Sequence, residues 1–70
     1  MNNDIAEGKW KQVIGKAKTA WGRLTDDELK KAEGRADRLA GLIQERYGKT
    51  RDEAELEVRR FFDANRKDLF

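Results

Sequence analysis

Five cations stand close together near the start of this 70-residue chain. Lys9, Lys11, Lys16, Lys18 and Arg23 fall in residues 8–24, which hold no carboxylate, whereas residues 25–70 carry 11 cations against 12 carboxylates. Such a segment suits an anionic partner, phosphate above all, with binding that weakens as salt rises. The plainer reading is a solvated basic face with no ligand. Net charge is only +2, so any electrostatic attraction is local to this segment.

Two other clusters invite chemistry and do not carry it. Gly48-Lys49-Thr50 has the end of a phosphate-binding loop, but that motif needs a glycine where Ile43 stands, and a strand before it. A helix cap followed by an N-cap explains the three residues. Asp26, Asp27 and Glu28 are hard-cation ligands by type. On a first helical turn, however, consecutive side chains point apart, and capping with dipole compensation accounts for them. None of the 14 carboxylates is singled out as an acid–base pair.

Composition removes further classes. There is no His, Cys, Pro or Ser. Thiolate and imidazole catalysis are excluded, and zinc and iron sites lose their usual ligands. We therefore expect no catalytic residue, metal or cofactor. No disulfide can form, which suits a reducing cytoplasm. No apolar run approaches the ~20 residues of a membrane span, and the start of the chain lacks the apolar stretch of a secretory leader.

The elements that must hold these residues are helical. Charged residues make up 43% of the chain, yet the two signs nearly cancel and the apolar residues are well spaced, which opposes a disordered protectant. Trp10, Val13, Ile14, Ala17, Ala20, Trp21 and Leu24 fall in one arc of about 120° on a helical wheel. Asn3 or Asp4 is the expected cap of this helix and Gly22 its left-handed end. Because both Trp residues lie in the arc, they are expected to pack inside rather than stack on bases. Membrane attachment through this helix ranks below nucleic-acid binding, since the core needs the same arc.

Thr25-Asp26-Asp27-Glu28 and Thr50-Arg51-Asp52-Glu53 both read as capping boxes. A second helix should bury Leu29 and Ala32 and break near Gly34; the alternative is one helix from Asp26 to Tyr47. Ala36, Leu39, Ala40, Ile43 and Tyr47 share a face that ends at Gly48. The last helix should bury Ala54, Val58, Phe61 and Phe62, with Leu69 on the same line and Asn65 in need of a partner. The expected helices span about 4–21, 26–32, 35–47 and 51–66. No segment alternates as a strand does.

Glycines recur every seven residues at 8, 15 and 22, and again at 34, 41 and 48. Shifting the chain by 26 residues matches Lys9 with Arg35, Val13 with Leu39, Trp21 with Tyr47 and Arg23 with Lys49. This internal pseudo-repeat implies two αα-hairpins, packed across each other into one all-α, compact four-helix domain. All six glycines lie opposite the apolar arcs, so none is expected to pack in the core. Gly15 and Gly41 are the odd ones, since a mid-helix glycine costs about 1 kcal/mol against alanine. Close approach by a partner backbone or an anionic surface would account for them.

These residues carry a resemblance. Gly8-Lys9-Trp10-Lys11-Gln12, Gly15-Lys16, Trp21-Gly22-Arg23-Leu24-Thr25-Asp26-Asp27, Glu33-Gly34, Leu39-x-Gly41, Gln44-Glu45-Arg46-Tyr47-Gly48 and Glu53-Ala54-Glu55 resemble the bacterial CsbD-like stress-response family. The resemblance covers nearly the whole chain. It implies a SAM-like fold of two orthogonally packed hairpins, a cytoplasmic location and a role in general or osmotic stress, with no catalytic residues and no established activity. The expected protein is thus a non-enzymatic monomer acting through its charged surface. Its partner is left open between nucleic acid and protein, without stable membrane insertion. The alternative is a nucleic-acid-binding module using Lys9, Lys11, Lys16, Lys18 and Arg23.

Overall fold

The computed structural model describes residues 5–69. It is all-helical, with no strand among the described residues. Five helices follow one another: α1 (Glu7–Ala20), α2 (Asp26–Ala32), α3 (Ala36–Tyr47), α4 (Arg51–Ala64) and α5 (Arg66–Leu69). α1 packs on α2 and α5, α3 packs on α4 and α2, and α4 also meets α5. The body measures 28 × 22 × 17 Å.

Both threonine boxes form. The Thr25 hydroxyl accepts from the Glu28 amide while Glu28 accepts from the Thr25 amide, and Thr50 and Glu53 repeat the exchange. Each box satisfies two amides that the helix itself leaves unpaired. Gly48 ends α3 in the left-handed conformation, with φ of 64°.

The ends of α1 differ from the expected ones. Asn3 and Asp4 lie outside the described residues, and the helix begins only at Glu7, with Ala6 extended before it and no side-chain cap. The reason is Ile5. It is buried, and its amide donates to the Gly34 carbonyl at 2.8 Å, which holds the chain extended just ahead of the helix. At the other end Trp21 leaves the helix, with φ of −128°, so that its ring packs on Phe61 at 4.9 Å. The helix therefore closes before Gly22, whose φ is not positive.

A continuous helix from Asp26 to Tyr47 is overturned. Glu33 and Gly34 are both left-handed, with φ of 56° and 75°, and they turn the chain between α2 and α3. Every carbonyl of the last turn of α2 still finds a donor. Leu29 accepts from the Trp10 indole at 2.8 Å, Lys30 from the Glu33 amide, Lys31 from the Arg38 guanidinium and Ala32 from the Arg35 amide. The expectation for Gly34 also fails. It is buried, and a Cβ there would lie 2.6 Å from the Ile5 carbonyl oxygen and 3.2 Å from the Trp10 Cβ. Its place outside the apolar arc was misleading because it belongs to a turn, not to a helix face.

The last expected helix is two helices. At Asn65 the chain turns, with the side-chain amide donating to the Phe61 carbonyl at 2.9 Å. The Asn65 carbonyl accepts from Asp68 and Leu69. This turn folds Leu69 back into the core, where it is buried. A straight α4 would carry it past the body.

One cluster forms the core. Trp10, Val13, Ala17, Trp21 and Leu24 are buried from the first segment, whereas Ile14 is half-buried and Ala20 exposed. Phe61 and Phe62 join the two Trp residues into a row of rings, Trp21–Phe61–Phe62–Trp10, with centroids 4.9, 6.3 and 6.4 Å apart. Every buried side chain among the described residues is apolar.

The glycines divide sharply, and thermal melts should show it. Gly34→Ala forces a side chain onto the Ile5 backbone at positive φ and should lower stability by about 1–3 kcal/mol. Gly15→Ala and Gly41→Ala meet nothing within 4 Å. Each should raise stability by up to about 1 kcal/mol. Trp10→Phe should cost about 1–3 kcal/mol, because it strands the Leu29 carbonyl in the core.

Candidate functional site

The five basic candidates do not form one patch. Lys11 and Lys18 share a groove, on either side of Gly15 at the junction of α1 and α2. Lys16 turns the other way and meets Asp68 of α5 at 2.7 Å. Arg23 lies in the loop after α1, over the ring of Tyr47 at 5.5 Å. Lys9 is exposed and forms no ion pair among the described residues.

The α1–α2 groove contains a cation that the sequence set apart from the basic segment. Lys30 of α2 stands across from Lys11 and Lys18, with the half-buried Ile14 beside Gly15. Lys11 pairs with Glu7 at 3.7 Å and Lys18 with Asp26 at 3.1 Å, all four side chains being at least half exposed. Pairs this exposed contribute little, about 0–1 kcal/mol, and an anion can displace them. The signal for Lys30 was available only from the tertiary pairing of α1 with α2.

A second groove runs between α2 and α3. Gly41, Leu42 and Ala32 line it, together with the cations Lys31, Arg38 and Arg46. Glu28 and Glu45 also face it. Arg46 pairs with both, and Arg38 reaches back to Glu33.

Elsewhere a set of charges ties the loops to α4. Glu57 of α4 accepts from the Trp21 indole at 3.1 Å and from the Lys49 ammonium. Lys49 and Arg23 both approach the Tyr47 ring, and the Tyr47 hydroxyl accepts from the Arg23 amide. The Lys49 ammonium, helped by the Trp21 N–H, holds the Glu57 carboxyl below the usual range against the opposing effect of burial. Glu28 is lowered mainly by the Thr25 amide, and Asp68 by Lys16. Each of these carboxylates is engaged by a cap or a cation. No cluster of metal-ligating side chains occurs among the described residues, and no helix among them is long and apolar enough to cross a membrane.

The chain matches the CsbD-like family model over residues 4–55. It is 72% identical over 65 residues to a UPF0337 protein of Bordetella pertussis, covering 93% of this chain and 98% of that one. A UPF0337 protein of Pseudomonas aeruginosa is 56% identical over 63 residues, 90% of this chain and 97% of its own length. The UPF0337 protein YjbJ of Escherichia coli is 57% identical over 58 residues, 83% of this chain and 84% of that one. The family-model match ends inside α4, whereas the Bordetella match extends over nearly all of the chain.

The depressed carboxylates set the acid response. A carboxyl whose folded-state value lies below its ordinary one stabilises the fold above that ordinary value, about 4.3 for Glu. The contribution disappears as pH falls through the folded-state value. Urea midpoints should therefore hold from about pH 7 to pH 5 and drop at more acid pH. Glu57→Gln should lower the midpoint at neutral pH and make the acid drop shallower; an unchanged acid drop would remove Glu57 from this role.

Proposed function

The chain belongs to the CsbD-like family, and on that premise we propose that it is a small cytoplasmic stress-response protein that acts by surface contact rather than by catalysis. One observation carries the reading. The buried interior is entirely apolar among the described residues, so the polar groups stand on helix faces and in open grooves. Catalytic sites instead gather polar groups in water-excluded pockets. The finer fold reading, one monomeric domain of two crossed hairpins of the SAM-like kind, is supported by the packing of α1 on α2 and of α3 on α4.

A second reading is favoured by the α1–α2 groove. Lys11, Lys18 and Lys30 face one another there across a bare glycine. That arrangement suits a nucleic-acid phosphate backbone. It narrows the basic first segment to two of its five cations and adds one from α2.

Complementation of a deletion strain under salt stress tests the contact reading. Charge reversal at Lys11, Lys18 and Lys30 should abolish rescue while leaving the melt nearly unchanged. Changes of Glu28, Glu57 and Asp68 to their amides should preserve rescue wherever the protein stays folded. Full rescue by the reversed protein, or loss of rescue in a well-folded single amide variant, would overturn it.

A further inference from the structure

The turn that joins the two hairpins works against local preference. Glu33 and Gly34 are both left-handed, with φ of 56° and 75°, and Glu33 carries a side chain that disfavours this conformation. The turn is held closed from outside. Ile5 is buried, its amide donates to the Gly34 carbonyl at 2.8 Å, and its own carbonyl oxygen lies 2.6 Å from where a Cβ on residue 34 would stand.

The helices on either side nevertheless keep one phase across the turn. At about 100° per residue, the buried Leu29 and Ala32 of α2 share one arc of about 100° with the buried Ala36, Leu39, Ala40 and Ile43 of α3. A turn makes no such demand, because the helix after it can start in any phase. Straightened, residues 26–47 would form one amphipathic helix, with its cap at Thr25 and its stop at Gly48 already in place. The Lys30, Lys31 and Ala32 carbonyls would then accept from residues 34, 35 and 36 in the ordinary helical pattern. Such a helix is about 33 Å long. That exceeds the 28 Å of the body's longest dimension, so straightening carries α1 away from α4.

We propose that this straightening lets two copies of the chain exchange hairpins, the α1–α2 unit of each packing on the α3–α4–α5 unit of the other about a two-fold axis. The partner is thus a second copy of this chain, and the inference stands apart from the contact reading above. No new complementarity is needed, because each surface is the one the hairpins already use within the monomer. The contacts Trp10–Phe62, Trp21–Phe61, Trp21–Glu57, Glu28–Arg46 and Lys16–Asp68 all cross between the hairpins, and each forms again between copies. Exchange relieves the left-handed Glu33 and Gly34. It gives up the Ile5–Gly34 hydrogen bond and the Arg38–Glu33 pair, and it brings like charges four residues apart on one helix at Lys31–Arg35 and Glu33–Asp37. It also costs the freedom of the second chain. The monomer is therefore the resting form, and Ile5 is the clasp that keeps it closed.

Refolding from urea at low and high protein concentration, followed by size-exclusion chromatography with light scattering, tests the proposal. Gly34→Ala meets Ile5 only in the closed form and is the better helix former, so it should raise the dimer association constant by roughly tenfold or more. Glu33→Gly eases the left-handed turn and weakens the straight helix, so it should lower that constant by a similar factor. The parent should lie between the two. Carbodiimide coupling of the Lys16 ammonium to the Asp68 carboxylate separates exchange from surface association, because the two side chains belong to different hairpins. When isotopically light and heavy chains are refolded together, coupled peptides from the dimer fraction should join light to heavy. Four results would each overturn the proposal. They are a folded Gly34→Ala protein that stays monomeric at every concentration, a Gly34→Ala chain that no concentration folds, equal association of Gly34→Ala and Glu33→Gly, and dimers whose coupled peptides always carry one label.

Discussion

The hydrogen bond from the Trp10 indole to the Leu29 carbonyl holds α1 to α2 at the centre of the molecule. A seven-residue helix has little stability of its own, and its last four carbonyls lack partners within it. Trp10 supplies one donor from inside the core, where water cannot. The other carbonyls are met by the turn at Glu33–Arg35 and by Arg38. That turn requires left-handed residues at 33 and 34, and Gly34 in turn receives Ile5. One buried indole, one short helix and one tight turn are therefore interdependent.

The pseudo-repeat acquires a physical meaning at the opposite contact. Trp21 and Tyr47 occupy matching places in the two halves, and they meet through shared partners rather than standing apart. Trp21 donates to Glu57, Glu57 binds Lys49, and Lys49 and Arg23 both lie against Tyr47. The loop after α1 is thereby tied to the loop after α3 and to the middle of α4. The row of four aromatic rings runs beneath this network and joins both Trp residues to α4.

Local rules made part of this legible in the sequence. The capping boxes at Thr25 and Thr50 depend on residues three apart, and both form. The buried faces of α3 and α4 follow from spacing alone. What sequence could not supply came from distant contacts. Ile5 delays the start of α1 because its partner is 29 positions away at Gly34, and Trp21 leaves the helix early because Phe61 and Glu57 receive its ring. Gly34 looked peripheral on a wheel that did not apply to a turn. In the candidate site, a run of cations was visible but its division among three surfaces was not. Lys30 entered only when α2 was laid beside α1.

That division alters how the charge should be understood. A basic segment on a lone helix would present its cations all around the exposed surface. Packing sets Lys16 against Asp68, another exposed pair, and lays Arg23 over the Tyr47 ring, which helps hold the loop after α1. Lys11 and Lys18 are left facing a groove with weak, exposed partners. A domain of this size has a net stability of only a few kcal/mol, roughly 0.05–0.15 kcal/mol per residue. Two helix-interior glycines, at about 1 kcal/mol each, are a large concession against that margin. They lie outside the core, in the two grooves that flank α2. Contacts within the chain account for neither, since a Cβ at Gly15 or at Gly41 would meet nothing within 4 Å.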